Sequence, residues 1–115
     1  MCKCATADLR MTRHSIRQYE KIGDMLANAQ ELAKRFPQTY QAPDDEELAL
    51  VEANNCEGVK ILHELAGERF WITVVNVKDG MVYGTVANNL VCLNWPFGKK
   101  VCFPIECVYD TEFRE

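Results

Sequence analysis

The sequence predicts an α+β fold, an N-terminal amphipathic helix packed on a small, mostly antiparallel β-barrel, and three observations predict it. Residues 67–103 hold two β-rich runs, 70–77 and 81–86, separated by Asp79-Gly80, a pair suited to the positive φ angles of a type I′ turn. Both faces of the resulting hairpin are apolar. Residues 15–36 carry apolar side chains at spacings of three and four, the pattern of one helical face.

A two-residue turn fixes the hairpin register: Lys78 opposite Met81, Asn76 opposite Tyr83, Val74 opposite Thr85 and Ile72 opposite Ala87, with Val77 facing Val82, Val75 facing Gly84 and Trp71 facing Asn88. One face then bears Phe70, Ile72, Val74, Met81 and Tyr83, the other Trp71, Val75, Val77, Val82 and Val86. A hairpin with one wet side alternates apolar and polar. This one does not, so the expectation is a barrel interior on one side and a second layer on the other. The N-terminal helix or a second copy of the chain in a homodimer would serve equally as that layer.

The chain of 115 residues makes a single domain, 1–115, divided into a loose arm at 1–14, a helix at 15–36, a short helix at 44–52 and the barrel at 57–110. No apolar run approaches the roughly 20 residues that span a bilayer, and the N-terminus lacks the apolar core of a signal peptide. The expectation is a cytoplasmic protein without a membrane partner, its six cysteines kept as thiols.

Charge is divided unevenly. Residues 1–35 hold seven Lys or Arg against four acids, +3, so the net −4 of the chain leaves −7 for the remainder. Such asymmetry arises from a solvated helix face or from a surface that meets a charged partner.

In chain order, Cys2 and Cys4 form a C-x-C pair, but structural zinc sites use C-x(2 to 4)-C twice or with paired histidines, and neither His14 nor His63 has such a companion. Thiols without metal are expected. Ser15 and Gln18 open the helix in a capping-box pattern, Gly23-Asp24 kinks or divides it with Asp24 capping the second part, and Pro37 ends it. Its outer face holds Arg13, Arg17, Lys21, Lys34 and Arg35.

Asp44 and Glu47 form a second capping box before Leu48, Leu50 and Val51. The acidic run Asp44, Asp45, Glu46 and Glu47 has two readings: carboxylates offsetting a helix dipole, or a patch that imitates nucleic-acid phosphates toward a basic partner. Residues 59–65 alternate as a strand, with His63 expected to hold a structural hydrogen bond. Trp95 and Phe97 sit at the tip of a loop before Lys99 and Lys100 and either anchor a partner or plug the open barrel end. Cys92, Cys102 and Cys107 read as small core residues.

The segments G-E-R-F-W-I-T-V, G-T-V-A-N-N-L and F-G-K-K-V-C-F, with V-Y-D after them, resemble a family of uncharacterised small bacterial, plasmid and phage proteins with a G-E-R-F-W-V signature. The resemblance covers roughly residues 35–110. Lys99 departs from it, since the family favours Asp after that glycine, as does the shortened stretch before Phe97. What it implies is an SH3-like barrel without catalytic residues.

No Gly-rich phosphate loop, H-E-x-x-H or G-x-S-x-G occurs, so neither catalysis nor a cofactor or metal is expected. The expected function is a non-catalytic interaction module, in its specific form a phage or plasmid accessory protein of the anti-CRISPR type. It would bind a basic surface of a larger protein or ribonucleoprotein complex through Asp44, Asp45, Glu46, Glu47, Trp95, Phe97, Lys99 and Lys100. The alternative is direct nucleic-acid binding by the basic helix with Lys99 and Lys100.

Overall fold

The computed structural model describes residues 13–113, of which Arg13 and His14 are described by backbone alone. The arm expected at 1–14, with Cys2 and Cys4, lies outside them save for those two residues. The elements are α1 (Arg13–Arg17), β1 (Glu20–Lys21), a 3-10 turn (Gly23–Met25), α2 (Ala29–Arg35), α3 (Asp45–Glu52), β2 (Cys56–His63), β3 (Glu68–Lys78), β4 (Met81–Val86), β5 (Lys100–Pro104), a second 3-10 turn (Ile105–Cys107) and β6 (Asp110–Phe113). The six strands form one sheet in the order β1-β5-β4-β3-β2-β6, antiparallel except for the β1–β5 pair.

The α+β character is as the sequence predicts, but the sheet is not closed into a barrel. β1 is two residues long, and the chain then leaves the ladder. Residues 22–27 cross the opening instead. The Ile22 amide donates to the Cys102 carbonyl (3.0 Å) on the β5 side, while the Ala27 amide donates to Leu62 (3.0 Å) and the Glu64 amide to Met25 (3.0 Å) at the end of β2 that β6 does not reach.

The helix expected over 15–36, whole or divided at Gly23-Asp24, is a correction. Two short helices and a strand stand there, because the exposed backbone edge of β5 offers Glu20 and Lys21 ladder partners in Val101 and Cys102, while short isolated helices are marginal. Gly23 then passes so close to Pro104 that a Cβ would lie 2.7 Å from its Cδ. The cap of α2 is Asn28, whose side chain accepts from the Glu31 amide (3.1 Å), and not Asp24.

The hairpin turn forms at Asp79 (φ 53°) and Gly80 (φ 77°), and Lys78–Met81, Val77–Val82 and Asn76–Tyr83 pair as expected. Beyond them a β-bulge at Val75 shifts the register by one, so that Val74 faces Gly84, Thr73 faces Thr85 and Ile72 faces Val86. The shift changes the meaning of the two-sided apolar pattern. Phe70, Ile72 and Val74 before the bulge and Val77 after it all enter one core with Val82 and Val86, while Val75 is left 42% exposed. A phase change, and not a second covered face, accounts for most of the apolar residues on both faces.

The core is completed by Val59 and Ile61 of β2, Val101 and Phe103 of β5, Val51 of α3, and Ile22 and Leu26 of the crossing segment. α3 packs on β3, and α2 packs on the second 3-10 turn. Cys56, Cys102 and Cys107 are buried, whereas Cys92 is exposed and is not a core residue. Burial raises the Cys102 thiol above its ordinary pKa; burial, with the charge of Glu106 adding to it, pushes Cys107 up to about 11. No described helix is long and apolar enough to cross a membrane.

Candidate interaction surface

The residues singled out in the sequence fall into two groups. In the first, Asp44 caps α3: its Oδ1 accepts from the Glu47 amide (2.9 Å), and Glu47 Oε1 accepts from the Asp44 amide (3.1 Å). Asp44 and Glu47 are thereby held in place by the helix they start, with Asp45 and Glu46 exposed beside them. Glu47 also lines a hollow of about 350 Å³ between the loop 38–43, Tyr109 and Asp110. The Gln30 side chain, donating to the Pro43 carbonyl (3.1 Å), ties that loop to α2.

The second group surrounds the loop between β4 and β5. Trp95 is half-buried and meets the rings of His63 (5.7 Å between centroids) and Phe70 (5.9 Å) edge to face, so it covers the end of the core. Phe97 is 68% exposed. Lys99 pairs with Glu20 at 2.6 Å and lies 5.8 Å from the Trp95 ring centre. Lys100 donates to Gln18 Oε1 (2.8 Å) and stands over Tyr19 (5.8 Å).

The loop itself is held by Glu68. Its carboxylate accepts from the amides of Val91 (2.8 Å) and Cys92 (2.8 Å). The Val91 amide is the main cause that keeps its pKa below the ordinary glutamate value, with the amides of Cys92 and Leu93 acting in the same direction against desolvation. His63 has the structural hydrogen bond expected of it: Nδ1 accepts from the Ala66 amide (3.1 Å). Among the described residues no three His, Cys, Asp or Glu are gathered as a metal site.

Sequence reasoning missed the residues around β6. Cross-strand rows run Asp110–Lys60–Trp71 and Glu112–Gly58–Thr73. Asp110 and Glu112 are both exposed and alternate with half-buried Thr111, so they share one face of the strand. Gly58 leaves the second row open, and a hollow of about 340 Å³ lies there, bounded by Trp71, Glu57 and Glu112. The signal was available: Asp-x-Glu at a spacing of two is how a strand places two charges on one side. Nearby, Arg69 stacks over Tyr109 (5.0 Å) and Tyr40 (6.0 Å), fixing the ring that walls the first hollow.

Comparison with protein-family models, characterised proteins and solved structures finds no match. The resemblance drawn on residues 67–71 and 84–90 accordingly assigns no residue a role.

Proposed function

We propose that this chain is a non-catalytic interaction module that docks through its acidic side on a basic surface of a larger protein or ribonucleoprotein complex. The observation that supports it is the gathering of carboxylates from three separate stretches of sequence around β6: Glu47 with Asp110 in one hollow, Glu57 with Glu112 in the other. Neither hollow has a Lys or Arg in its lining. In the specific form of the reading, the basic surface is the nucleic-acid groove of a host defence complex, and the carboxylates compete there with phosphates, as in an anti-CRISPR protein encoded by a mobile element. An SH3-like description of the wrapped sheet belongs to the same reading, on the strength of the bonds that residues 22–27 make to β5 and β2.

Direct nucleic-acid binding has less in its favour. Lys99 and Lys100 are engaged with Glu20 and Gln18, and Arg17, Lys21, Lys34 and Arg35 are spread over three elements in place of one helix face.

The test is nucleic-acid binding by an RNA-guided effector of the host, assayed with and without the protein. Inhibition that weakens as salt rises, and that falls when Asp44, Asp45, Glu46 and Glu47 are changed together to Asn and Gln, is the expected outcome. Inhibition indifferent to both would remove the electrostatic mechanism, and binding of DNA or RNA by the protein itself at low salt would favour the alternative.

A further inference from the structure

The two hollows beside β6 are alike in chemistry although they are built from different parts of the chain. Each has one aromatic wall and two carboxylates: Tyr109 with Glu47 and Asp110 in one, Trp71 with Glu57 and Glu112 in the other. A carboxylate pair holds a cationic head while a ring accommodates both the charge and the apolar stem of Arg or Lys. Both rings already make such a contact with a cation of the chain itself, Lys60 at 5.5 Å from the Trp71 ring centre and Arg69 at 5.0 Å from that of Tyr109. Lys60 is also the one cation in the two rows that cross β6, β2 and β3.

The spacing is set by the strand. Asp110 and Glu112 belong to different hollows, and alternate residues of a strand stand about 6.6–6.8 Å apart on the same face. An extended partner segment has that same repeat. β6 closes one end of the sheet order, so a segment laid along it meets no further strand of the sheet.

From these observations we infer that the partner is an extended basic segment with Arg or Lys at alternate positions, laid along β6 so that one cation enters each hollow. The inference rests on the acidic-surface reading above and sharpens it, because it requires a pattern of cations and not merely a positive charge. Gly58 is the shape determinant. A Cβ there would meet the Ile72 carbonyl oxygen, Glu112 Oε1 and Trp71 Cε3 at 3.4–3.6 Å, ordinary contact distance, so alanine fits and narrows the hollow at the atoms that bound it.

The experiment titrates the full chain, isotopically labelled for NMR, with two peptides of identical composition, Thr-Arg-Thr-Arg-Thr and Thr-Arg-Arg-Thr-Thr, both with blocked ends, and with deca-arginine as a probe of charge alone. The alternating peptide is expected to bind about fivefold more tightly than the adjacent one, the worth of one cation–aromatic contact, with shifts at Asp110, Glu112 and the Trp71 indole N–H. Asp110→Asn and Glu112→Gln each weaken it by about three- to fivefold. Gly58→Ala, which changes no charge and adds only a Cβ at contact distance, reduces the preference between the two peptides while leaving deca-arginine bound. Equal affinity for the two peptides, or shifts confined to residues 44–47, with deca-arginine still binding, would overturn the paired hollows and leave the basic-partner reading standing. Failure of deca-arginine to bind at low salt would overturn both.

Discussion

At the β5 side of the sheet the lysines are engaged within the molecule: Lys99 pairs with Glu20, Lys100 donates to Gln18, and both lie over aromatic rings. At the β6 side Asp110, Glu112 and Glu57 are exposed, and with Glu47 they line hollows that contain no Lys or Arg. Lys60, opposite Asp110, and Arg69, over Tyr109, stand beside these hollows, and the carboxylates that line them outnumber the two cations. Exposed ion pairs contribute little to stability, so the Lys99–Glu20 pair is worth little to the fold. Glu47 also caps α3 and Asp110 faces Lys60, but the gathering of Glu47, Glu57, Asp110 and Glu112 still costs the fold some repulsion, the pattern expected of a surface that awaits a partner.

The largest effect should come from breaking the support common to both sides. A Cβ on Gly84 would lie 2.4 Å from both Ile72 Cγ2 and the Thr73 carbonyl oxygen, so Gly84→Ala must prise β4 from the bulged part of β3. A loss of about 3 kcal/mol, or failure to fold, is expected in urea unfolding. Trp95→Ala should cost about 2 kcal/mol, since it uncovers Phe70 and His63 at the end of the core. Deca-arginine binding should be untouched by it. An unchanged unfolding midpoint would instead return Trp95 to the role of an exposed anchor.

Asp44→Ala acts on the β6 side by removing the capping box of α3, for about 1 kcal/mol in thermal unfolding. It should loosen the Glu47 wall and weaken cation binding beyond the loss of one charge. Glu68→Gln tests the latch on the loop between β4 and β5. Because the folded-state pKa of Glu68 is lowered, its contribution is present above the ordinary glutamate value of 4.5 and is lost as pH falls through the folded value. The wild type should therefore exceed the Gln variant in stability at pH 7, with the difference shrinking below about pH 4.5. A difference that persisted unchanged at pH 2 would exclude the carboxylate as its source. The smallest effect belongs to Glu20→Gln, below about 1 kcal/mol and fading with salt, with Lys99 left free to bind an added anion.

Much of the fold was legible where neighbours in sequence are also neighbours in space. The Asp79-Gly80 turn, the three pairs next to it, the alternation of β2 and the capping box of α3 all depend on contacts a few residues away. The bulge was less legible, though Asn76 in an apolar run and Gly84 on the facing strand, opposite Val74, were signs of a break in phase. Asn76 is buried and accepts from the Asn54 side chain (3.2 Å), a partner more than twenty residues distant. Residues 15–36 misled because periodicity there is satisfied equally by a helix and by a chain that drops Ile22 and Leu26 into a core from an irregular path. Asn28-x-x-Glu31 carried the true cap, overlooked in favour of Asp24.

Of the candidate site, the acidic turn at 44–47 could be found as a run of like residues, whereas the pairing of Glu47 with Asp110 could not.

What the sequence determined by itself is local: where the chain turns, where it caps, and which side chains are too apolar to stay in water. Tertiary structure decided the rest, namely that the sheet stays open, that Val75 faces out, and that carboxylates from α3, β2 and β6 stand around one strand. Those outcomes depend on which distant backbone edges find partners. Hydrogen bonds such as Ile22 to Cys102 and Ala27 to Leu62 join residues whose sequence separation leaves no periodic trace, so only the folded chain could decide among them.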